Sequence, residues 1–254
     1  MIAFQKANKL KPDGIAGKAT QKEIDVELEK LAESNKAKKI QKMLDNLKND
    51  KTLGLSKDQK TSMIMAAERL LKENFEVKFV AGVLGNIMRE GSYGEFEDSA
   101  YRPNSKIPKP PYLDYMDKNF EYRKNFSGKN IQDIGIKATL ELLKKAKKSG
   151  YKGKFGLGMV QWTEDRTEGL LKSYQKYAKS DKPTKKECME AEINFMVDEL
   201  KGEFSDVYEA WKNDSKTARK AGEIFSDDYV KPGVPGEATE RGKNAVNIYN
   251  IMTK

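Results

Sequence analysis

Residues 77–94 read VKFVAGVLGNIMREGSYG, an apolar run with an acid at its end. Val80, Leu84, Ile87 and Met88 recur at the spacing of one helix face, which predicts a helix from about Val77. Gly82 and Gly85 cost that helix roughly 1 kcal/mol each against alanine, which marks a helix approached closely by another backbone. Gly91 behind Glu90 is a stop signal. A carboxyl at the rim of an apolar core loses hydration, and its pKa rises because the ionised form is disfavoured. Such a group stays protonated near neutral pH and can act as a general acid. The same position also suits a solvated Glu, or one paired with Arg89, so the rest of the chain has to decide.

The chain has 254 residues, enough for one large domain or a moderate domain with an appendage. With 34% charged and 37% hydrophobic residues it reads as soluble, globular and helix-rich. No apolar run approaches the roughly 20 residues needed to span a bilayer, so no membrane insertion is expected. The opening MIAFQKANKLK lacks a secretory pattern. The expectation is release by lysis, carriage in a virion, or a fragment of a longer secreted protein.

A formal charge of +9 draws the protein towards polyanions, among them nucleic acid and teichoic acid. YRKNF at 122–126 interleaves aromatic and basic residues, but no nucleic-acid-binding signature accompanies it, so no specific nucleic acid is expected. The single cysteine, Cys188, excludes an intrachain disulfide. It adjoins a helical face of Met189, Ile193, Met196 and Leu200, which assigns it to packing. The chain contains no histidine. Ser-His-Asp and Cys-His chemistry and the common zinc-hydrolase sites therefore fall away. Carboxylates are the remaining proton-transfer groups of choice.

Residues 1–29 contain the turn Pro12-Asp13-Gly14, then Gly17, then a helical pattern opened by Thr20 with Ile24 and Leu28. Residues 30–55 form a lysine-rich helical connector. Ser56 or Asp58 caps the next helix, whose face is Ile64, Ala67, Leu70 and Leu71. Residues 102–126, rich in Pro and Tyr, form an ordered loop or lobe. A basic amphipathic helix is expected at 131–148, and a hairpin or turn in GYKGKFGLGMVQWT, 150–163. Further helices are expected at 165–179, 184–201, 203–212, 215–228 and 238–252.

Two resemblances follow. FQKANKLKPDGIAGKATQKEI resembles the second half of a peptidoglycan-binding repeat, through Phe4, Gln5, Leu10, Asp13, Gly14, Ile15, Gly17 and Thr20. AGVLGNIMREGS, FGLGMVQWTEDR, AEINFMVDEL at 191–200 and a last helix with Arg241 and Ala245 together resemble the phage tail lysozyme family. The resemblance implies a mainly α, lysozyme-like helical domain over 56–254 with a small β-hairpin, preceded by the partial N-terminal helical wall-binding repeat. It implies a peptidoglycan hydrolase acting at the bacterial cell wall on its glycan strands, with Glu90 as catalytic acid and no metal or organic cofactor. The chain departs from the family in placing Gly91 between Glu90 and Ser92, and Lys231 where a relative carries an acid.

The candidate second carboxylates are Glu95, Glu97, Asp98, Glu164 and Asp165. Gly156 and Gly158 would let backbone approach a polysaccharide and offer amide donors. Gln161 would bond a sugar hydroxyl or N-acetyl group, and Trp162 would stack on a pyranose. Asn86, Ser92, Tyr93 and Tyr101 complete the candidate substrate contacts, and Arg166 is expected to anchor structure. Hydrolysis, lytic transglycosylation and non-catalytic wall binding or a virion structural role all remain open at this level.

Overall fold

The structure is a computed structural model that describes residues 1–97, 116, 118–148, 155–232 and 236–254. Asp98, Tyr101 and most of the Pro-rich segment lie outside them. The fold is mainly α and lysozyme-like. The chain divides into two units, Met1–Asp45 and Asn46–Lys254.

In the first unit, helix α1 (Ile2–Ala7) leads through a turn to α2 (Lys18–Asn49), whose last turn belongs to the second unit. Gln5 is buried and fastens that turn: its amide donates to Asp13 Oδ1 and the Ile15 carbonyl, both at 3.0 Å, and accepts from the Gly14 N–H at 2.9 Å. α2 carries no strong apolar stripe, and Leu28 and Leu31 on it are exposed.

In the second unit, α3 (Lys57–Lys72) starts at Ser56, which forms a capping box with Gln59. Its buried face is Met63, Ala66, Ala67, Leu70 and Leu71; Ile64 is only half-buried, so the face is turned from the expected one. Helix α4 (Val77–Glu90) is the centre of the core, with every residue from Phe79 to Ile87 buried. A helix buried all round needs neighbours on all sides. α3 packs on it, as do α11 (Ala218–Ile224) and α12 (Glu237–Met252). Gly82 and Gly85 are where those neighbours come closest. A Cβ at Gly82 would lie 2.5 Å from the Ala221 Cβ, and one at Gly85 would lie 2.7 Å from the Arg241 carbonyl oxygen. Phe79 adds an aromatic cluster with Phe75, Tyr208, Trp211 and Phe225.

Between α4 and α12 the order is α5 (Tyr122–Asn125), α6 (Ile131–Ile134), α7 (Ile136–Lys148), α8 (Glu164–Tyr177), α9 (Lys185–Lys201), α10 (Ser205–Asn213) and α11. The single helix expected at 131–148 is broken at Gly135, whose φ of +96 is not helical, and Asp181 occupies the space a side chain would need there. Asp181 also accepts the Lys137 N–H at 2.8 Å, starting α7 from outside the helix. After α11 the chain widens into a π-helical turn, Phe225–Val230, rather than continuing as α-helix to 228. Strand structure among the described residues amounts to isolated bridges, Glu95 with Asn130, Phe96 with Leu157 and Leu157 with Trp162. The last pair exchanges both backbone hydrogen bonds, a hairpin of minimal length.

Candidate active site

α4 delivers Glu90 at its last turn, with a side chain only 16% exposed. Arg241, 3% exposed and projecting from α12, donates Nη2 to Glu90 Oε1 and Nη1 to Asn86 Oδ1, the latter at 3.0 Å. Asn86 in turn donates to the Gly82 and Gly222 carbonyls at 2.9 and 3.0 Å. On the other side of Arg241, Glu237 lies 3.6 Å from its Nε and pairs with Arg89 at 2.9 Å. Burial pushes the Glu90 carboxyl above its ordinary range, with Glu237 adding to the rise, and Arg241 and Arg89 opposing it. The outcome is a carboxyl that holds its proton more strongly than an exposed Glu does, in an orientation fixed by Arg241.

Gly91 follows in extended conformation, so it ends the helix without the left-handed turn of a common glycine stop. Its role is proximity: a Cβ there would lie 3.2 Å from Gln161 Nε2 and 3.4 Å from Glu95 Oε2. Glu95 and Gln161 thus meet beside the residue next to Glu90. Glu95 accepts the Ser92 N–H at 3.0 Å, and Gln161 donates to the Glu95 and Gly158 carbonyls at 3.2 and 2.8 Å. The Gln161 Oε1 is buried and has no hydrogen-bond partner among the described residues.

Of the other candidate carboxylates, Glu97 accepts the Gly156 N–H at 3.0 Å. Asp165 is paired with Lys147 at the surface. Glu164 starts α8 at φ +56. Asp98, like Tyr101, lies outside the described residues.

Several expected contacts are otherwise occupied. Trp162 is 1% exposed and donates Nε1 to Glu199 at 2.9 Å, so it offers no face to a sugar. Asn86 is fully buried between helices and spends its amide there. Tyr93 is 2% exposed, with its hydroxyl towards Asp58 and Lys185. The Gly158 N–H goes to the Glu95 carbonyl at 2.9 Å and the Gly156 N–H to Glu97, so neither is a donor for substrate. Their lack of side chains serves internal packing, since a Cβ at Gly156 would meet Gln161 and one at Gly158 would meet Glu192. Arg166 anchors structure: it donates to both Glu199 oxygens and the Tyr229 carbonyl and lies over the Phe204 and Tyr229 rings.

The sequence reading missed the parts played by Arg241, Glu237 and Glu192. Glu237, Arg241 and Ala245 stand four residues apart on α12, and Glu192 and Glu199 fall on the apolar stripe of α9; acids on such a stripe were the available signal. Cys188 is buried with its thiol pushed up by burial, as packing requires. Among the described residues no group of three potential metal ligands gathers, and no helix is long and apolar enough to cross a membrane.

No curated protein and no solved structure matches the chain. The family model of phage tail lysozymes matches residues 61–252, from α3 to the end of α12 and across every side chain around Glu90. The chain belongs to the phage tail lysozyme family and is by that membership a lysozyme-like peptidoglycan hydrolase.

Proposed function

We propose that the protein is a muramidase, hydrolysing the β-1,4 bond between N-acetylmuramic acid and N-acetylglucosamine with Glu90 as general acid. The observation that carries this reading is the Glu90 carboxyl itself, largely buried at the end of α4 and displaced towards its protonated form. In that form it gives its proton to the leaving glycosidic oxygen. Arg241 then stabilises the carboxylate left behind, at the distance of a direct hydrogen bond. Glu95 is the second carboxylate we favour, because its Oε2 is the one found close to Gly91. Ser92 is the proposed glycan contact, and Gln161, whose amide bonds the Glu95 and Gly158 carbonyls, holds the turn that carries Glu95. We further propose that residues 1–29 serve wall attachment as part of a peptidoglycan-binding repeat, and that the net positive charge favours walls rich in teichoic acid.

Mass spectrometry of purified Gram-positive peptidoglycan after digestion tests the reaction, with Glu90→Gln alongside. Reducing muramic-acid ends, absent with the variant, are expected. Anhydro-muramic ends would make the enzyme a lytic transglycosylase, and uncut glycan would leave a wall-binding or virion structural protein.

A further inference from the structure

Glu192 lies on α9, 0% exposed, and has no part in the chemistry above. Its Oε1 accepts the Gly94 N–H and the Tyr174 hydroxyl, and its Oε2 accepts the Met159 N–H at 2.7 Å. Gly94 belongs to the turn that follows Glu90 and carries Glu95. Met159 belongs to the turn that carries Gln161. One carboxylate therefore bonds the two backbones whose side chains meet beside Gly91. Gly158 is shaped for it: at φ +83, its absent Cβ would lie 2.7 Å from Glu192 Oε2. Among the described residues no Lys or Arg pairs with Glu192. The titratable groups around it are Tyr174 from α8, Glu95 from the Gly94 turn, and Cys188 one turn earlier on α9. A buried carboxylate without a cation is expensive, and here it stands where two backbone N–H groups and a hydroxyl need acceptors.

We propose that Glu192 is a positioning residue for the glycan cleft, its ionised carboxylate fixing the spacing between the Gly94 turn and the Met159 turn. The inference rests on the proposal above that Glu90 and Glu95 act on the glycan, the cleft being the space between the two turns beside them. The ionised group accepts strongly on both oxygens, whereas a protonated one keeps a strong acceptor on only one. A proton on Oε2 would oppose the Met159 N–H, and one on Oε1 would make that oxygen a poor acceptor for the Gly94 N–H. Protonation thus weakens one wall or the other. Burial pushes this carboxyl up to about 7, against the pull of the Tyr174 hydroxyl and the two backbone N–H groups. The two walls are therefore coupled to pH in the neutral range, losing a tie as pH falls.

The test follows the Gly94 and Met159 amide signals by NMR across the neutral range, in the full chain and in Glu192→Gln. Both signals are expected to move together with one midpoint at about 7, and to stay still in the variant. Tyr174→Phe keeps both ties but removes a donor to the ionised form, so it should raise that shared midpoint. On soluble glycan oligomers at alkaline pH, Glu192→Gln should raise KM about tenfold with a smaller change in kcat, as a displaced cleft wall would. Amides that do not titrate in the parent chain, or that titrate unchanged in Glu192→Gln, overturn the proposal. So do unchanged KM and kcat, which would reduce Glu192 to a packing role. The amide titration is independent of which group protonates the glycan, whereas Glu90→Gln tests that group directly.

Discussion

Alanine at position 85 tests the packing that brings Arg241 to Glu90. The added Cβ would lie 2.7 Å from the Arg241 carbonyl oxygen and 2.9 Å from the Ala245 nitrogen. Ordinary carbon–oxygen contacts begin near ~3.3 Å, so α12 has to retreat by roughly 0.6 Å. The obstacle is backbone, so no rotamer change relieves it. Overpacking costs about 1–3 kcal/mol, and a backbone obstacle puts this site at the upper end. The better helix propensity of alanine offsets about 1 kcal/mol. The net loss is about 2 kcal/mol, which lowers Tm by roughly 4–8 °C for a unit of this size. Activity should fall further than the unfolded fraction accounts for. Arg241 moves with its backbone, and displacements approaching 1 Å cost up to about 100-fold in rate. Thermal unfolding by circular dichroism and release of soluble fragments from purified walls, well below either Tm, measure the two effects. Gly17→Ala, where a Cβ meets nothing within 4 Å, is the companion that should leave Tm unchanged. A Gly85→Ala protein as stable and as active as its parent would refute the close-approach argument.

Three further outcomes are expected. The raised Glu90 pKa makes its stability contribution complete below the unfolded carboxyl value of about 4.3, and lost as pH rises through the higher folded value. The parent should therefore lose stability relative to Glu90→Gln across that window in chemical denaturation, and parallel pH curves would contradict the shift. Glu199, 8% exposed, accepts from Arg166, Trp162 and Tyr229. Glu199→Gln strands the Arg166 charge and should cost about 3 kcal/mol, seen as a lower urea midpoint by Trp fluorescence; a loss under about 1 kcal/mol would show that Arg166 finds another partner. Ser56→Ala removes the Gln59 cap of α3, bonded at 3.1 Å, and should cost about 1 kcal/mol in the same assay with no change in KM.

The helix that organises the core was legible in the sequence because it obeys a local rule. Apolar spacing placed its start at about Val77 and the glycine after Glu90 marked its end, where the structure has them. The two glycines gave away the close approach of other helices for the same reason. What was not legible depends on partners distant in the chain. The face of α3 turns towards Met63 because of what packs there, and α7 starts at Ile136 because Asp181 reaches across to it. Trp162 is a large aromatic between glycines in either reading; only the Glu199 carboxylate behind it, supplied by another helix, makes it core. The same holds for Arg241, whose contact with Glu90 spans 151 residues of sequence.

Glu90 also stands at the carboxyl end of α4, where unpaired carbonyls give the helix a partial negative charge. That pole adds to the burden on a second negative charge at the same place, and it is built into the backbone. A residue at this position is thus biased towards keeping its proton by the direction in which the helix runs. A cell-wall polymer cannot be engulfed as a small substrate can, and an acid biased towards its proton by the backbone that carries it is suited to such a substrate.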